Sequence, residues 1–162
     1  LDLHHTLRFI GPLDQEARGR VERAAETVQG QAPVYLRIER VGHFARARVL
    51  WAGPAAPGEG LIELVARLEE ALVAQGFAPE PRPFRAHITL ARKVRRPPRR
   101  AWGAPVPWLA RELVLAAGQE GRLPRYGVRR SWLLTGALGQ PPERSPARAE
   151  GHAEPGSPFG ED

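Results

Sequence analysis

Two short stretches of the 162-residue chain set an imidazole and a hydroxyl two residues apart: His4-His5-Thr6-Leu7 and His87-Ile88-Thr89-Leu90. They share the pattern His-x-Thr-Leu, one copy at the start of the chain and one past its middle. In a strand, side chains at i and i+2 point to one face, so each copy presents an imidazole beside a hydroxyl. In the second copy Ala86, Ile88 and Leu90 are left for the opposite, packed face. Such pairs suit the cleavage of a phosphodiester. One group must take a proton from the nucleophile and another must give one to the leaving oxygen, and histidine, with an ordinary pKa near ~6.5, serves in either role. A neighbouring threonine hydroxyl donates a hydrogen bond to a non-bridging phosphate oxygen. Two histidines facing each other across a phosphate give acid–base catalysis without a metal or cofactor. Of the chain's five histidines, His43 falls in a predicted turn and His152 in a polar tail. A zinc site would lack a third ligand at a recognisable spacing.

The elements that must position these residues are legible in outline. Residues 3–10 alternate as a strand does, and Gly11-Pro12 closes them. On that alternation Arg8 shares the face of His4 and Thr6, which makes it a candidate phosphate or RNA contact. Residues 13–28 carry Leu13, Ala17, Val21, Ala24 and Val28 at helical spacing. Residues 34–41 and 45–52 are strand candidates joined by Gly42-His43-Phe44 as a hairpin connection. Residues 61–75 form the clearest amphipathic helix, with Gly76 placed as its C-cap. Strands are expected at 84–92, 106–116 and 126–134. The order β-α-β-β-α-β-β-β predicts an α+β fold with two helices covering sheet.

Composition sets the boundaries. The length suits one domain. Zero cysteines exclude a disulfide scaffold, a thiolate metal site and a cysteine nucleophile. No apolar run approaches the ~20 residues of a membrane helix and nothing resembles a signal peptide, so a soluble cytoplasmic monomer without a membrane partner is expected. The net charge is +6, and 23 of the 24 basic residues are arginine. Beyond Gln140, two arginines oppose five carboxylates, so the chain up to that point carries a net +9. That surface favours an anionic partner such as RNA, a nucleotide or a phosphoester. Arg92, Lys93, Arg95, Arg96, Arg99 and Arg100 form a basic run suited to an RNA backbone. Residues 138–162 are rich in Pro, Gly, Ala, Glu, Arg and Ser and read as a disordered tail, leaving 1–137 as the folded domain.

The stretch from Leu3 to Gly11 (LHHTLRFIG) and that from Phe84 to Arg92 (FRAHITLAR) resemble the paired motifs of the 2H phosphoesterase superfamily, and in particular the RNA 2′,3′-cyclic phosphodiesterases, also called 2′-5′ RNA ligases. Val41-Gly42-His43-Phe44, Arg48-Val49-Leu50-Trp51, Glu112-Leu113-Val114-Leu115 and Tyr126 extend the resemblance over about residues 1–136. The resemblance implies a bilobal α+β fold in which two β-rich lobes with covering helices face a central cleft. It implies metal-independent hydrolysis of RNA 2′,3′-cyclic phosphates to 2′-phosphomonoesters, the substrate being an RNA or nucleotide with a cyclic phosphate end. Carried onto this sequence, His4 would be the acid toward the leaving 3′ oxygen, His87 the base on water, and Thr6 and Thr89 the phosphate holders; the two histidine roles remain interchangeable at this level. Arg92 would need a bend at the end of its strand to reach the phosphate. The alternatives are 2′-5′ ligation of tRNA halves and a non-catalytic RNA- or nucleotide-binding 2H module. The sequence departs from the family pattern at His5, where an aliphatic residue is usual, and at Ala86, where a proline is common. The family also begins with a strand and helix not found here. With no methionine and Leu1 in first place, residues are expected to precede Leu1.

Overall fold

The structure, a computed structural model, describes residues 3–97, 103–121 and 124–137. The expected tail at 138–162, His152, Arg99 and Arg100 therefore lie outside the described residues. Helix α1 (Gln15–Glu26) starts where Asp14 caps it, its carboxylate accepting from the Ala17 amide at 2.7 Å. Helix α2 (Glu59–Ala74) buries Leu61, Leu64, Leu68 and Leu72, and Gly76 follows with φ +85°, a left-handed conformation that glycine adopts without a Cβ penalty. These apolar faces meet Val34, Leu36 and Ile38 of strand β1 (Val34–Ile38), together with Ala52, Ile88 and Leu134, in one core.

The strands differ from the sequence expectation in an instructive way. The predicted strand 34–41 is two strands, because the chain leaves one sheet and enters another at Glu39. Strand β1 pairs antiparallel with β5 (Val106–Ala110), whereas β2 (Arg40–Phe44) pairs with β3 (Val49–Gly53). The Glu39 amide donates to Gly53 O at 3.0 Å at the crossing point. The segment Gly42-His43-Phe44 is thus strand rather than turn, and the reversal falls on residues 45–48, with Arg48 at φ +53°. The same device recurs at Arg111, which divides the predicted strand 106–116 into β5 and β6 (Glu112–Gly118). Strand β7 (Tyr126–Leu133) pairs antiparallel with β6. Strand β4 (Ile88–Ala91) is shorter than expected and completes a sheet of order β2-β3-β4.

Among the described residues the strands thus form three sheets, β2-β3-β4, β1-β5 and β6-β7. Helix α1 is tied to β7 by Arg130, whose guanidinium donates to Glu22 and Glu26 at 2.7 Å each. Among the described residues no helix is long and apolar enough to cross a membrane.

Candidate active site

The first His-x-Thr stretch is not a full strand. It touches the sheet through one antiparallel bridge, His5 to Ile88. The chain bends at Leu7, which turns Arg8 out of the alternation. Its guanidinium lies 3.4 Å from Glu69 and 3.1 Å from Glu80 and donates to Ala78 O at 2.7 Å. Arg8 thus pins the motif to α2 and the segment after it, with its charge taken up by carboxylates, and the structure does not bring it to the paired histidines.

That single bridge is enough to align the two motifs. Carried one residue either way, its register sets His4 opposite Thr89 and Thr6 opposite His87. Each imidazole then faces the other motif's hydroxyl, at about 5 Å between β-carbons for directly opposed residues, and the two histidines are diagonal neighbours at roughly 7–8 Å. Strand β4 continues the pattern to β3, where Trp51 partners Thr89 and Ala52 partners Ile88. In β2, Gly42 partners Trp51 and Val41 partners Ala52. One cross-sheet row therefore reads Gly42, Trp51, Thr89, His4. The row beside it reads Val41, Ala52, Ile88, His5 and faces the core: Ala52 is 1 % exposed and Ile88 7 %.

The ladder shifts between Leu50 and Trp51, so that Ala91 partners Leu50 and Leu90 is the extra residue of a bulge. A bulge reverses the alternation beyond it. Ala91 goes to the face of Leu50, and Arg92 follows as an exposed residue just beyond β4. Lys93 then takes φ +61°, and the Val94 amide donates to Arg48 O at 2.9 Å. His43 belongs to this anchoring, with Nε2 3.0 Å from Val94 O.

Both histidines are held by aromatic neighbours. The His4 ring meets Tyr126 edge-on at 4.8 Å, and the His87 ring meets Phe44 edge-on at 5.2 Å. Phe44 in turn stacks on Trp51 at 5.4 Å. His87 Nδ1 lies 2.7 Å from Arg85 O. A carbonyl oxygen only accepts, so Nδ1 carries the hydrogen of that bond and the neutral ring keeps its lone pair on Nε2. His5, on the core face, packs against Phe84 at 5.7 Å, and neither of its buried ring nitrogens has a hydrogen-bond partner. Burial, then the charges of His87 and His4, pulls its pKa down to about 4. Among the described residues no cluster of three or more His, Asp or Glu side chains is placed to hold a metal ion.

Sequence reasoning did not assign Phe44, Trp51 or Tyr126 to the site. Their place shows only in the pairing of Gly42 with Trp51, where a Cβ on Gly42 would collide with the Trp51 ring. The indole lies across a backbone that has no side chain. Gly42→Ala is expected to displace Trp51, to cost about 1–3 kcal/mol as overpacking does, and to lower turnover. Thermal melting and steady-state kinetics on the purified variant check both; an unchanged melting temperature would show that the indole does not need the glycine.

Residues 1–121 match the family model of the 2′-5′ RNA ligase superfamily. The RNA 2′,3′-cyclic phosphodiesterase of Escherichia coli is 31% identical over 140 residues, covering 83% of this chain and 77% of that protein. The RNA 2′,3′-cyclic phosphodiesterase of Archaeoglobus fulgidus is 35% identical over 100 residues, 60% of this chain and 55% of its own. Among solved structures, E. coli LigT complexed with 3′-AMP superposes with a TM-score of 0.74 at 30% identity, over 83% of this chain and 78% of that one. A Thermus thermophilus protein superposes with a TM-score of 0.61 at 27% identity, over 84% and 80%.

Proposed function

This chain belongs to the 2′-5′ RNA ligase superfamily, and from that premise we propose that it hydrolyses RNA 2′,3′-cyclic phosphates to 2′-phosphomonoesters with His87 as base and His4 as acid. The observation that carries the reading is the His5–Ile88 bridge, whose register sets the two histidines diagonally across one sheet face with a threonine opposite each. His87, its Nδ1 donating to Arg85 O, turns Nε2 toward a water molecule and takes its proton. The water oxygen bonds to phosphorus as the bond from phosphorus to O3′ breaks. His4 delivers its proton to O3′, leaving a free 3′-hydroxyl and a 2′-phosphate. Thr6 and Thr89 donate hydrogen bonds to the non-bridging oxygens as charge gathers there. Arg92, just past the bulge at Leu90, adds a positive charge beside the phosphate. The names of the relatives in E. coli and A. fulgidus support the same reaction.

The test is the product. An RNA oligonucleotide ending in a 2′,3′-cyclic phosphate is incubated with the protein in EDTA, and the new terminus is identified by phosphorus NMR. A 2′-phosphate is expected. A 3′-phosphate, or turnover that stops when EDTA is added, would contradict the assignment.

A further inference from the structure

We propose that Arg40 and Arg85 form a second phosphate subsite, which recognises the 5′-phosphate of the nucleotide whose cyclic phosphate is cleaved. This rests on the reading of the active site given above and narrows its substrate to RNA ends, or nucleotides phosphorylated at the 5′ position, over bare nucleoside cyclic phosphates.

A cavity of about 260 Å³ opens beside His87 and is lined by Phe44, Trp51, Arg40 and Arg85 among others, with no carboxylate in its wall. The sheet register explains why these groups share it. Arg40 partners Gly53 in β2-β3, and one residue past the Ala52–Ile88 pair the ladder sets Gly53 beside His87. Gly53 approaches the next segment so closely that a Cβ there would lie 2.6 Å from Ala86 O. The row Arg40, Gly53, His87 thus has an arginine at one end, an imidazole at the other and no side chain between them. Arg40 is two strands from His87, about 9.5 Å at the backbone, and its side chain is long enough to reach back over the gap. Arg85 enters from the segment before β4.

Both guanidiniums are exposed, and among the described residues neither is ion-paired, in contrast to Arg8, Arg18, Arg37, Arg67, Arg82 and Arg130. Arg40 makes only a long contact, 3.5 Å, with Ala55 O, so little is lost when it turns to a ligand. The stacked Phe44–Trp51 pair offers the nucleoside a flat wall. A substrate whose reacting phosphate sits at His87 has one neighbouring phosphate, on the 5′ carbon of the same ribose. Two unpaired guanidiniums next to the wall that faces this ribose match that group in charge and in hydrogen-bonding geometry.

The test is equilibrium binding by calorimetry of adenosine 2′-monophosphate and adenosine 2′,5′-bisphosphate to the full chain. The bisphosphate is expected to bind about tenfold more tightly, as charge-assisted contacts to one phosphate allow. The ratio should fall toward one in Arg40→Ala/Arg85→Ala and persist in Arg67→Ala, which removes an arginine on α2 already paired with Glu63. Equal affinities for the two ligands in the unaltered protein would overturn the proposal, as would a ratio that survives the double substitution. Because the readout is binding, a protein that fails to turn over cyclic phosphate would contradict the proposed reaction while the subsite is still judged by this ratio.

Discussion

His87→Ala is expected to lower kcat on a 2′,3′-cyclic phosphate by about 10²- to 10⁴-fold, the usual contribution of a positioned general base, while the affinity for product changes little. The size of the loss follows from the ring's setting. Nδ1 is committed to the Arg85 carbonyl at 2.7 Å and Phe44 fixes the ring edge-on, so Nε2 is held in one direction before substrate arrives. Pre-set geometry of this kind loses no orientation entropy during the reaction. His4→Ala is expected to show a loss of the same order, because a strained cyclic ester still needs a proton on the departing 3′ oxygen. Stopped assays with calorimetric binding of 2′-AMP separate turnover from affinity. Rates within tenfold of the unaltered protein for both single variants would dismiss the paired-histidine mechanism.

How much of this was legible in the sequence depends on the range of the interaction. The His-x-Thr pairs could be read because a strand repeats every two residues, and both helices because Leu13, Ala17, Val21, Ala24 and Val28, and again Leu61, Leu64, Leu68 and Leu72, recur at helical spacing. Gly76 as a stop is equally local. What sequence periodicity does not encode is which strand lies beside which. The breaks at Glu39 and Arg111 shift the core-facing parity by one, from Ile38 to Val41 and from Ala110 to Leu113, but place no turn residue between the strands, so two strands in different sheets read as one. The bulge at Leu90, just before Arg92, exists only because β4 is paired with β3 in a shifted register. Strict alternation draws Arg8 toward the phosphate, yet its carboxylate partners come from α2 and the segment beyond it, at Glu69 and Glu80. A local pattern has no access to partners so distant along the chain. The aromatic wall was hidden for the same reason, since Phe44, Trp51 and His87 become neighbours only through the β2-β3-β4 ladder.

His5 carries the second large expectation, on stability rather than on turnover. It occupies the core-facing row beside Ile88, its ring nitrogens are buried without partners, and its pKa is lowered from 6.5 to about 4, first by burial and then by repulsion from His87 and His4. In the unfolded chain the imidazole binds a proton near pH 6.5, whereas in the fold it stays neutral until about pH 4. Between those values the unfolded state holds more protons, so stability falls as the pH falls through this window. At about 1.36 kcal/mol per pKa unit the loss attributable to His5 is on the order of 2–3 kcal/mol by pH 4. His5→Leu removes the titration and replaces two unsatisfied nitrogens with apolar surface against Phe84 and Ile88. The variant is expected to be more stable than the unaltered protein at pH 7.5, by about 1–2 kcal/mol for the relieved polar burial, and the advantage should widen steadily down to pH 4.5. Urea unfolding midpoints at a series of pH values give the comparison directly. If the two proteins lose stability in parallel as the solution is acidified, the charge that the fold resists lies elsewhere than on His5.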